Sequence, residues 1–194
     1  MMLVSTSSPP PRPTLTDLRA AVGKSIPDVI APGLDVLFCG INPGLYSAAT
    51  RCHFARPGNR FWPALYAAGL TSRRLQPWER HELLAHRIGV TNLVRRATVA
   101  ADELSREELR AGARRLARKV ARWRPRAVAI VGIGAYRTAF NQPRAIVGRQ
   151  PERLHGAIVW VLPNTSGLNA NHQAADFARE FLALRKALHT RSGR

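Results

Sequence analysis

VLFCGINPG, residues 36 to 44, passes from an unbroken apolar run into a polar turn of Asn42, Pro43 and Gly44. A short apolar run with β-branched and aromatic side chains, closed by turn formers, fits a strand buried on both faces. The run covers Val36 to Ile41, and three later ones share its character: Val90 to Val94, Ala127 to Val131 and Ile158 to Leu162. The stretches between them are helical in character. Strands alternating with helices imply an α/β fold with a largely parallel sheet covered on both faces.

The clearest helix spans Ser105 to Arg124. Leu109, Ala113, Leu116, Val120 and Trp123 recur every three or four residues and form one apolar stripe. Ser105 and Glu108 make a capping box, and Pro125 stops the helix. Arg106, Arg110, Arg114, Arg115, Arg118, Lys119 and Arg122 occupy its other faces, either as a solvated surface or as a track along DNA. NRFW, from Asn59 to Trp62, opens a further helix with Phe61 and Trp62 as core residues.

The 194 residues, 45% of them hydrophobic, suffice for one substantial core. The expected organisation is a disordered N-terminal tail over 1–27, one domain over 28–189 and a C-terminal tail over 190–194. Lys and Arg total 30 against 12 acidic residues, and the net charge of +18 points to a polyanion, nucleic acid above all. Cys39 and Cys52 alone build neither a disulfide framework nor a four-cysteine metal or iron-sulfur site, so no metal is expected and a reducing cytoplasm fits. The apolar runs are far shorter than the roughly 20 residues of a membrane helix, which argues against a membrane partner.

Ligands of open α/β sheets bind at the carboxyl ends of the strands. GINPG from Gly40 and PNTSGLNANH from Pro163 both follow apolar runs, which places a candidate site between them. VGIGAYR from Val131 resembles a nucleotide-binding turn only in part, because Arg137 stands where the third glycine belongs and no GKS or GKT triplet exists.

GINPGLYSAATRCHFARPGNRFW, residues 40 to 62, taken with GVTNLV from Gly89 and PNTSGL from Pro163, strongly resembles the mismatch-specific uracil-DNA glycosylase and thymine-DNA glycosylase family. The resemblance runs from about Ile30 to Leu188. It implies a three-layer α/β/α sandwich around a short, mainly parallel four-stranded sheet. It also implies a monofunctional glycosylase that needs no cofactor and cuts uracil-like bases from double-stranded DNA carrying a mismatched or damaged pyrimidine; the sequence shows no sign of oligomerisation, so a monomer is expected.

By this resemblance Asn42 holds the attacking water. An amide orients a water but is no useful base at neutral pH, so catalysis must rest mostly on stabilising the departing base. The backbone of Ile41 and Phe54 would bind the pyrimidine edge, with the Phe54 ring stacked on the flipped base. Gly44 stands where related uracil-specific enzymes carry a tyrosine wall, and Ser47 in the same loop would limit the fit of a thymine methyl. His53 would lie near the base or a phosphate and titrate close to neutrality. Asn164, Ser166, Gly167, Leu168 and Asn169 would form a loop that enters the duplex, with Leu168 as the wedge and Gly167 and Asn169 beside the unpaired guanine. Arg56 and Arg60 would reach phosphates, and Asn92 would support the site.

Read without the resemblance, the same residues have plainer roles. Asn42 is an ordinary turn former before Pro43 and Gly44, Phe54 a core residue, His53 a surface loop histidine, and the Gly167 segment a turn leading into the last helix. A DNA-binding protein without chemistry remains the competing class. A lyase is disfavoured because Lys24, Lys119 and Lys186 all lie outside the motif loops.

Overall fold

The protein is described by a computed structural model covering residues 8–167 and 173–190. Strands β1 (Val36–Gly40), β2 (Ile88–Asn92), β3 (Ala127–Val131), β4 (Gly148–Leu154) and β5 (Ala157–Leu162) form one sheet in the order β2-β1-β3-β5-β4. The β2-β1, β1-β3 and β3-β5 pairs are parallel, and β4 pairs antiparallel with β5.

The expected three layers are present, and the reason is visible in the alternation of side chains along each strand. Val36 and Phe38 of β1, Ala129 of β3 and Trp160 of β5 face one cluster, closed by helices α3 (Phe61–Ala67) and α6 (Ala174–His189). Leu37, Cys39, Ile130 and Val161 face the other, closed by α4 (Arg106–Trp123) and α5 (Ile133–Ala139). Phe61, at the head of α3, touches Phe38, Phe181 and Trp62 edge-on and stacks on Phe54.

Helix α4 carries the expected capping box at Ser105 and Glu108, and it ends at Arg124 in a left-handed conformation. Its stripe is buried at Leu109, Ala113, Leu116 and Val120. Two of its cations fold inward: Arg115 donates to the Leu93 carbonyl, and Lys119 pairs with Asp28 and donates to Thr91. Arg106, Arg110, Arg114, Arg118 and Arg122 remain exposed.

Two expectations need correction. The sheet has five strands instead of four. The additional one, β4, reads GRQPERL, and its exposed charges and Pro151 suit an edge position that apolar patterning does not detect. The N-terminal tail is also shorter than 27 residues. Thr14 and Asp17 cap helix α1 (Leu15–Ala20), Ala21 and Ile26 are buried, and Val29 exchanges both main-chain hydrogen bonds with Val90 at the β2 edge. Among the described residues, no helix is long and apolar enough to cross a membrane.

Candidate active site

A cavity of about 590 Å³ opens at the carboxyl ends of the parallel strands. Asn42 and Gly44 reach it from the turn after β1, Asn92 from the end of β2, Gly132 from the turn after β3 and Asn164 from the turn after β5. GINPG and the described start of the second polar loop, Pro163 to Ser166, do share one crevice.

Asn42 is tied across 54 and 56 residues of chain. Its Nδ2 donates to the Arg96 carbonyl at 3.1 Å and to Thr98 Oγ1 at 2.7 Å. A main-chain carbonyl only accepts, and the Thr98 hydroxyl spends its own proton on the Ala100 carbonyl at 2.6 Å. Both neighbours therefore demand the NH2 end of the amide, and Oδ1 is left as an acceptor with no partner among the described residues. Thr98, 2% exposed, and Arg96 are partners of Asn42 that sequence reading missed, since nothing local in RRAT signals a partner in GINPG.

Phe54 adopts a left-handed backbone conformation (φ 54°) that a non-glycine residue takes only at a cost of about 1–2 kcal/mol. Its ring lies stacked on buried Phe61 with centroids 4.0 Å apart, and it also lines the cavity. The core-packing reading of Phe54 therefore holds for its contact with Phe61, and the same residue borders the cavity. Ser47, 5% exposed, accepts the Ala55 N–H at 3.1 Å and so braces the Phe54 turn as well as lining the cavity. The main-chain N–H groups of Ile41 and Phe54 have no acceptor among the described residues. A Cβ built on Gly44 would meet nothing within 4 Å.

His53 is neither a surface residue nor a group that titrates near neutrality. It is 1% exposed, and burial pushes its pKa down to about 4. The Pro27 carbonyl lies 2.9 Å from Nε2, which must therefore carry the proton, and Nδ1 accepts from Asn92 Nδ2 at 3.4 Å. The unfolded chain takes up this proton near pH 6.5 and the folded chain only near pH 4, so stability is complete above about 6.5 and falls as the pH drops toward 4. The thermal midpoint should decline through that window in the wild type and less in His53→Gln. Parallel pH curves for the two proteins would show that another group sets the acid sensitivity.

The turn after β5 docks on the segment before α3. Arg60 N donates to the Thr165 carbonyl, Arg60 Nη1 reaches the Ser166 carbonyl, and Ser166 N donates to Asn164 Oδ1. Arg60 therefore supports this loop through its main chain and one guanidinium nitrogen. A Cβ on Gly167 would lie 3.1 Å from the Gly58 carbonyl oxygen, a close approach that suits glycine. Leu168 and Asn169 fall outside the described residues.

Arg56 and neutral His53 are the ionisable groups among the described cavity residues, and no carboxylate lines it. Nor do the described residues gather three or more potential metal ligands anywhere. Gly132, from the partial nucleotide-binding motif, forms cavity wall against Ile41.

The sequence pattern of the uracil DNA glycosylase superfamily matches residues 27–188. The chain belongs to this superfamily. The solution NMR structure of a protein from Methanosarcina acetivorans, described as a candidate uracil DNA glycosylase, is similar to it with a TM-score of 0.55 and 19% sequence identity. That similarity covers 84% of this chain and 99% of the other, and it shows a common fold. Uracil DNA glycosylase superfamily members are DNA N-glycosylases, which supports a DNA glycosylase role for this chain and agrees with DNA as the polyanion implied by the +18 charge.

Proposed function

We propose that this glycosylase is monofunctional and removes uracil and related damaged pyrimidines from double-stranded DNA, for base excision repair. Uracil opposite guanine is the principal substrate, ethenocytosine a second, and thymine opposite guanine a weak one. The single observation that carries the reading is the Asn42 amide, whose two N–H groups are occupied, which leaves its oxygen free on a residue that lines the same cavity as Phe54.

A flipped base would stack on the exposed face of Phe54, an interaction worth roughly 1–3 kcal/mol per base. The unpaired N–H groups of Ile41 and Phe54 would take the carbonyl edge of the base, where negative charge grows as the glycosidic bond stretches. Donors already fixed in place stabilise that charge without reorganising. Asn42 Oδ1 would accept one proton of a water and aim its lone pair at the anomeric carbon. With an oxocarbenium-like sugar as electrophile a strong base is unnecessary, in keeping with the lack of a carboxylate among the described residues of the cavity. Unstacking is cheapest for mismatched or damaged bases, which supports a preference for mismatches.

Breadth of substrate follows from Gly44. Its φ of −73° suits any residue, and the space beside it is open. Gly44→Tyr is expected to fold normally, keep uracil excision within about tenfold and lose ethenocytosine excision by about a hundredfold, as a filled pocket rejects a larger base. Equal losses on both bases would remove Gly44 from the role of selector.

The direct test is release of uracil from duplexes with uracil opposite guanine and opposite adenine, and from single strands. Preferential excision opposite guanine supports the reading. Retention of DNA without formation of abasic sites on any of these, or on ethenocytosine, would reject it in favour of a binding protein.

A further inference from the structure

The Asn42 amide is held by a segment that is itself held from outside the cavity. Arg96, whose carbonyl accepts from Asn42, directs its guanidinium the other way. Nε lies 2.5 Å from Glu108 Oε1, Nη2 lies 2.9 Å from Glu108 Oε2, and Nη2 also donates to the Glu103 carbonyl at 3.1 Å. This two-pronged contact fixes both the position and the plane of the guanidinium, which a single ion pair would not do. Glu108 is in turn fixed, because its Oε2 accepts the Ser105 N–H at 2.9 Å in the capping box of α4. Thr98, the second partner of Asn42, belongs to the same segment, with its N–H on the Pro43 carbonyl and its hydroxyl on Ala100. Ala100 N–H is bound by Glu103.

We propose that Arg96 and Glu108 are positioning residues that lock the 96–98 backbone against Asn42 and thereby set the direction of its free oxygen from the N-terminal end of α4. This rests on the reading of Asn42 as the water-holding residue. The physical case lies in a mismatch of scales. Arg96 and Glu108 are partly exposed, and such a pair contributes little to stability. The carbonyl it steadies lies one hydrogen bond from the group that aims the nucleophile, where displacement by about 1 Å costs about a hundredfold in rate.

Arg96→Lys keeps the charge and loses the fork. Glu108→Gln keeps an acceptor for Ser105 and loses the charge. Both are expected to slow single-turnover excision about tenfold or more, with affinity for a duplex bearing non-cleavable 2′-fluorouridine within about twofold of wild type and near-normal melting. Ser105→Ala is the control: it removes the hydroxyl that accepts Glu108 N–H, weakens the same helix cap and leaves the Arg96 fork in place. Wild-type excision in Ser105→Ala beside slowed Arg96→Lys and Glu108→Gln supports the proposal. Unchanged rates in the latter two, or equal slowing in all three, overturns it.

Hydrogen exchange of the Asn42 side-chain amide, followed by NMR in the free protein, is a readout independent of activity. Faster exchange in Arg96→Lys and Glu108→Gln, with Ser105→Ala at the wild-type rate, is the expected result. Unchanged exchange in the first two overturns the proposal even if the wild type cuts no base, an outcome that would separately reject the assignment of Asn42.

Discussion

Asn42→Ala is expected to lower single-turnover excision of uracil opposite guanine by at least about a hundredfold, the scale on which misplacing a reacting group or removing a fixed polar contact acts. Affinity for the same duplex should hardly change, because the amide bonds to protein through Nδ2 and keeps only Oδ1 unengaged among the described residues. Stability should fall slightly, since the Arg96 carbonyl and Thr98 Oγ1 lose a donor at the rim of a cavity that admits water. The decisive comparison is the rate at saturating enzyme beside the dissociation constant for 2′-fluorouridine DNA. A loss of affinity that accounts for the whole loss of rate would make Asn42 a binding residue and move the water elsewhere.

Phe61→Ala is expected to remove about 3–5 kcal/mol of folding stability, a large share of the roughly 5–15 kcal/mol typical of a domain. Phe61 is fully buried, and it joins the sheet through Phe38, the last helix through Phe181 and the cavity through Phe54. The deletion leaves a void among rigid rings that cannot collapse together. Urea unfolding of wild type, Phe61→Leu and Phe61→Ala gives the test, with the leucine variant falling between the other two. In the leucine variant, which should remain folded, weaker binding of 2′-fluorouridine DNA would report loss of the backing behind Phe54. A midpoint for Phe61→Ala close to wild type would contradict the central place given to this ring.

Strands β1, β3 and β5 were legible in the sequence because each is apolar on both faces. Strand β2 lies at Ile88–Asn92, two residues before the expected Val90 to Val94, because Thr91 and Asn92 end it where the apolar run continues into Leu93 and Val94. Strand β4 was not legible, because pairing with β5 asks little of its side chains beyond avoiding the core, and GRQPERL satisfies that as readily as a loop does. Helix α1 had a local signal in Thr14 and Asp17, but it lay beside a proline-rich stretch that reads as tail. At the site, Asn42, Phe54 and Gly44 were legible through the motif that contains them. His53 was misjudged because its proton is controlled by burial in the folded chain, and its partners Pro27 and Asn92 lie on separate segments. Thr98 and Arg96 escaped for the same reason: a hydrogen bond spanning 56 residues leaves no periodicity behind.

The margins of the sheet bear on how the protein behaves in crowded solution. At one margin Val29 already occupies the main-chain groups of Val90, so an incoming strand would have to displace it. At the other, Pro151 withholds a donor, a register shift between Arg149 and Arg153 breaks the regular ladder, and these two arginines repel a like-charged copy. Each margin resists extension by a second molecule. The least core-like strand thus carries features that oppose association of the chain into fibres.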